Sequence, residues 1–90
     1  MKTINDFVNR NRLPGWYIDV LGSYCYGNGK FLISVFVDSD DNTYNITVDR
    51  IEGAGKITNY EWEFISVDNK SAEEFILDHI NNFVNEYINK

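Results

Sequence analysis

His79 is the one histidine in the chain and Cys25 the one cysteine. An imidazole can serve as a general base or metal ligand near neutral pH. A thiolate is a nucleophile, but its pKa must first be lowered by a helix N-terminus or nearby cations. Neither residue has the company its chemistry needs. His79 sits at the edge of an apolar helical stripe, and no Ser–His–acid set or metal-ligand spacing singles it out. A packing role at the boundary is expected for it. Cys25 lies between Tyr24 and Tyr26 with no cation close in sequence, so a half-buried structural cysteine is expected. A single cysteine also excludes an internal disulfide.

Two loops resemble ligand motifs and fall short of them. Asp38-Ser39-Asp40-Asp41-Asn42 has the D-x-D-x-N start of a calcium loop, with Asp49 at its twelfth position. Its sixth position is Thr43, where the sharp bend needs Gly, and its last ligand is Asp where a bidentate Glu is usual. A hairpin turn is the better reading. Gly53-Ala54-Gly55-Lys56 lacks both the spacing and the following helix of a phosphate loop. No nucleophile, base and oxyanion donor can be assembled, so neither an enzyme nor a cofactor or metal protein is expected.

The carboxylates are more informative. Fourteen acidic residues stand against eight basic ones, a net charge of −6. Scattered Lys and Arg argue against direct binding to nucleic acid, which needs a basic cluster, and against an anionic membrane surface. Asp19, Asp49, Glu61 and Glu63 fall at strand positions expected to face outward, and Asp38, Asp40 and Asp41 crowd one turn. Residues i and i+2 of a strand are about 6.8 Å apart. Neighbouring phosphates along one DNA strand are spaced by roughly 6–7 Å. Such a face can imitate a nucleic-acid backbone and enter a basic groove, although a merely solvated face is the plainer reading. Tyr17, Tyr24 and Tyr26 are candidate aromatic anchors for a protein partner.

The elements that must position these residues read as α-β-β-β-β-α, one α+β domain spanning residues 1–90 with a four-stranded, mainly antiparallel sheet. Thr3 is a candidate N-cap, and Ile4, Phe7 and Val8 form a short apolar stripe. Leu13-Pro14-Gly15-Trp16 predicts a type II turn. Strand one is expected from Trp16 through Leu21, bent at Gly22 and continuing to Tyr26. Gly27-Asn28-Gly29 is a hairpin turn. Strand two runs from Lys30 to Asp38 with apolar residues on both faces, and strand three alternates cleanly from Thr43 to Asp49. Arg50–Lys56 reads as a flexible loop. Strand four places Tyr60, Trp62 and Phe64 inward and Glu61 and Glu63 outward, with a bulge or covered end near Ile65. Ser71-Ala72-Glu73-Glu74 is a capping box for a helix reaching Asn89. Ile76, Ile80, Phe83, Val84, Tyr87 and Ile88 line its apolar side.

The layout resembles the small acidic anti-CRISPR proteins of phage, which inhibit CRISPR effector nucleases. The shared features are the opening Ile4-Asn5-Asp6 on a short helix, the meander of strands and a closing Glu73-Glu74-Phe75 helix. This chain departs from that pattern in having four expected strands and in spreading its acidic residues instead of gathering them in a tail. The resemblance implies a non-catalytic inhibitor that occupies a basic groove on a nuclease or CRISPR effector complex, and it transfers no individual site residue. Immunity proteins that neutralise nuclease toxins fit the same charge, as does an adaptor or oligomeric structural module. Met1–Asp6 has no apolar h-region, so the cytoplasm of a bacterial host is the expected location.

Overall fold

The computed structural model describes residues 4–38, 40–67 and 71–89, apart from the side chains of Ala54, Lys56 and Trp62. Helix α1 spans Ile4–Arg10. Strands β1 (Tyr17–Ile18), β2 (Tyr24–Gly27), β3 (Phe31–Asp38) and β4 (Thr43–Glu52) follow. A single 3-10 turn, Gly53–Gly55, leads into β5 (Lys56–Ser66). Helix α2 (Ala72–Phe83) continues into a π-helical turn, Val84–Ile88. The expected class, α+β with short N-terminal helix, antiparallel sheet and C-terminal helix, is therefore present. The proposed N-cap Thr3 and the turn residue Ser39 lie outside the described residues.

The sheet has five strands where four were expected, in the order β1-β2-β3-β4-β5, all antiparallel. The extra strand arises because Trp16–Tyr26 is a hairpin and not one bent strand. The Asp19 carboxylate accepts hydrogen bonds from the N–H groups of Leu21 and Ser23, both at 2.9 Å. An Asp that bonds the backbone two residues on makes its own turn, and the chain reverses there. The Leu13–Trp16 turn closes as its sequence requires: Trp16 N–H donates to Leu13 O at 3.2 Å and Gly15 has φ +83°. Gly is the residue that reaches this φ without steric cost. At the next hairpin the Asn28 side chain accepts from both Lys30 N–H and Phe31 N–H.

Arg50–Lys56 is also ordered differently from expectation. The alternation of β4 runs on through Glu52, and Ile51 pairs with Ile57 across a tight reversal. A long β4–β5 arm thus replaces a loop.

The core lies on one face of the sheet, under both helices. Ile33, Val35, Tyr44, Ile46 and Val48 are fully buried there, with Phe7 from α1 and Ile76, Ile80 and Phe83 from α2. Each such side chain contributes about 1.5–3 kcal/mol on burial. Phe7 holds α1 in place between two tyrosine rings, 6.4 Å from Tyr24 and 5.8 Å from Tyr44. At the start of α2, Phe75 N–H donates to Ser71 O at 2.9 Å. Ser71 makes no side-chain cap bond, so the reciprocal capping box is not formed.

The largest correction concerns β5. Val48 pairs with Glu61 and Ile46 with Glu63, whereas Thr47 pairs with Trp62 and Asn45 with Phe64. Directly opposed residues share a face of the sheet. Glu61 and Glu63 therefore project on the helix-bearing side, and Phe64 on the opposite, open side, where it is 59% exposed. The register shift lies between Val48 and Asp49, which leaves Tyr60 without a cross-strand partner. This is a β-bulge, one extra residue that re-aims its neighbours. It sits at Tyr60 and not near Ile65, which pairs regularly with Tyr44 and packs on the core. Tyr60 is a rim residue, 54% exposed, and belongs to no buried cluster.

A candidate protein-interaction edge

Helix α2 crosses the sheet above β4 and β5. Since β5 is the last strand in the order, its helix-side residues reach past the centre of the core toward water. Glu61 and Glu63 are both exposed despite facing the helix. They form one wall of a groove of about 490 Å³, and His79, Asn82, Phe83, Asn85 and Glu86 form the other. Three carboxylates line it, and no Lys or Arg does so among the described residues.

The π-helical turn sets the far end of this groove. Asn89 N–H donates to Val84 O at 2.9 Å, the wide i to i−5 spacing. Tyr87 lies over Phe31 and Tyr60, with ring centroids 5.2 and 5.4 Å away, and its hydroxyl donates to the Glu61 carboxylate. That bond raises the Tyr87 pKa far above the usual phenol range, because ionisation would set a phenolate against a carboxylate. Glu61 is thus held in place. Asn28 Nδ2 donates to Tyr87 O at 3.4 Å and ties the β2–β3 hairpin to the same corner.

The sequence-derived site residues do not form one acidic face. Asp19 and Asp49 lie on the open side of the sheet, around a shallow depression of about 290 Å³ shared with Leu32 and Phe36. Asp38, Asp40 and Asp41 sit at the β3–β4 turn. There the Asp38 carboxylate is occupied by the N–H groups of Asp40 and Asp41, and Asn42 takes the left-handed conformation at φ 55°. Glu61 and Glu63 are on the other side altogether. A continuous row of outward carboxylates resembling a phosphate backbone is therefore not present.

The tyrosines also separate. Tyr24 is 3% exposed, and its hydroxyl accepts from Leu13 N–H at 2.8 Å, so it is a core residue and cannot anchor a partner. Tyr26 stacks on Trp16 at 5.5 Å and is half-buried. Tyr17 alone is largely exposed.

Sequence reasoning missed Glu86, Asn82 and Asn85 as companions of Glu61 and Glu63. The signal was there: Asn82, Asn85 and Glu86 are spaced i, i+3, i+4 on the wet side of the last helix. What the sequence lacked was the side of β5 that faces them.

Cys25 is fully buried rather than half-buried, with Ser34 Oγ, Ser23 O and the Asp19 carboxylate around its sulfur. Burial pushes its thiol pKa up, which keeps the reactive thiolate scarce. His79 borders the acidic groove, with its ring 6.0 Å from Phe83. Among the described residues no group of three or more His, Cys, Asp or Glu is arranged to hold a metal ion. No described helix is long and apolar enough to cross a membrane. Comparison with protein-family models, curated proteins and solved structures finds no match to this chain.

Proposed function

We propose that this protein is a non-catalytic inhibitor that binds a basic groove on a nucleic-acid-handling bacterial effector in the cytoplasm, as anti-CRISPR proteins do. The observation that carries the reading is the groove between β5 and the C-terminal helix, lined by Glu61, Glu63 and Glu86, with no Lys or Arg among its described lining. Carboxylates held together without local cations lower their mutual repulsion when a Lys- or Arg-rich surface approaches. The net charge of −6 acts in the same direction at longer range.

In this reading Glu61, Glu63 and Glu86 make the central charged contact, and Asp38, Asp40 and Asp41 steer the approach. Asp19 and Asp49 are on the open face and contribute less. Affinity capture from host lysate identifies the effector. Competition then tests the reading: the protein and the effector's nucleic acid exclude one another from a single surface. A ternary complex holding both with undiminished affinity overturns it. A secreted-toxin nuclease as the captured partner, bound in the same salt-dependent way, places the protein with immunity proteins instead.

A further inference from the structure

We infer that β5 is a docking edge to which the partner adds an extended strand with basic and apolar residues in alternation. The inference rests on the inhibitor reading above and specifies how the partner is held. The two edges of the sheet are unequal: β1 has two residues and β5 has eleven. Beyond the bulge at Tyr60, Glu61–Ser66 pairs regularly with Val48–Thr43 on its inner side. No further strand lies beyond β5 among the described residues. A long edge strand is a template for another strand, and natural proteins normally blunt it with charge, bulges or a covering element.

The edge carries a different chemistry on each side. Toward the helix, Glu61 and Glu63 face the groove that Glu86 closes. Toward the open side, Phe64 stands exposed. A strand pairing with Glu61–Ser66 presents alternate side chains to these two environments. Cations meet the carboxylates on one side, and apolar groups meet the Phe64 side on the other. A second copy of the chain is disfavoured where the acidic segment pairs with itself. Antiparallel self-pairing centred on Trp62 sets Glu61 opposite the Glu63 of the other copy twice over, and like charges directly opposed are destabilising. The carboxylates that oppose self-pairing in that register favour a basic strand.

The test uses the full-length chain, ¹⁵N-labelled, and a heptapeptide Val-Lys-Val-Lys-Val-Lys-Val whose amides are N-methylated along one edge so that it pairs only once. A peptide of the same composition with its three lysines grouped is the control. The alternating peptide is expected to bind at least tenfold tighter than the grouped one and to slow hydrogen exchange at the alternate amides of Glu61–Ser66 that point away from β4. The double variant Glu61→Gln, Glu63→Gln, isosteric and expected to melt as the parent does, is expected to lose that preference. Equal binding of both peptides, slowed exchange confined to other strands, or a dimer in solution with the β5 amides already protected each overturns the inference. Salt-dependent binding to the effector without β5 protection removes the strand-addition mode alone. Strand addition without any nucleic-acid competition at the effector removes the inhibitor reading alone.

Discussion

Asp49 has a consequence that pH can reveal. Burial on the open face raises its carboxyl pKa above the unfolded value, partly offset by the hydroxyl of Thr47 at 3.5 Å. The folded chain therefore holds that proton more tightly than the unfolded chain. Stability is expected to fall as pH rises from about 3.9, the unfolded value, through the folded pKa, and to stay lower above it. Asp49→Asn removes the cost of a partly buried charge. Its melting temperature is expected to exceed the parent's at pH 7, with the gap closing toward pH 3; a gap that persists at pH 3 contradicts this origin. Cys25 offers a second check at the same scale. Its burial predicts slow modification by a thiol reagent in the native state and fast modification in denaturant. Fast native labelling means that the open face exposes the thiol. Cys25→Ala, at a buried position outside the acidic groove, is expected to leave binding to the effector within a few-fold of the parent. Abolished function in a variant that still folds revives a catalytic role. The full burial of Cys25 and of Tyr24 was not readable from their sequence neighbours. Alternation gives a residue's parity on a strand, and a helix such as α1, with Phe7 against the Tyr24 ring, decides which parity is covered.

Among the elements, α2 and β4 were the most legible. The stripe Ile76, Ile80, Phe83 packs on Tyr44, Ile46 and Val48 as the 3.6-residue and two-residue periods require. Phe83→Ala is expected to cost about 3–5 kcal/mol, read from a denaturant melt; a loss below about 1 kcal/mol means the helix is not docked through that ring. Strand β5 was misread because hydrophobicity alone assigned its faces. Tyr60, Trp62 and Phe64 outrank Glu61 and Glu63 for burial, yet pairing with β4 overrides that ranking. Charged residues can point toward the helix at an edge strand, where that side still reaches water. The bulge at Tyr60 is invisible in the sequence, since no Gly or Pro marks it. The break at Gly22 was visible, but Asp19 turned a bend into a reversal by capping two backbone amides. The continuation of β4 and β5 across Gly53–Gly55 shows the same limit. The directly opposed Ile51 and Ile57 fall in a stretch whose glycines read as a loop.

For the whole molecule, the net charge is −6, and eight of the fourteen carboxylates lie in the groove beside β5, at the β3–β4 turn and on the open face. Its long-range effect was readable from composition, but the place where it concentrates depended on the register of one strand. If Glu61 and Glu63 form the centre of the contact, they accelerate encounter with a basic partner, and salt weakens that effect as the Debye length shrinks from about 10 Å at 0.1 M to about 3 Å at 1 M. The most direct measurement is the association rate constant with the captured effector, by stopped flow at 50 and 500 mM salt, for the parent and for Glu61→Lys, Glu63→Lys. The parent's rate is expected to fall by at least tenfold between the two salts, and the variant, folded as judged by its melt, to associate at least tenfold more slowly at low salt with a flattened salt dependence. A variant that associates as fast as the parent, with the same salt dependence, contradicts the assignment of this edge as the binding surface.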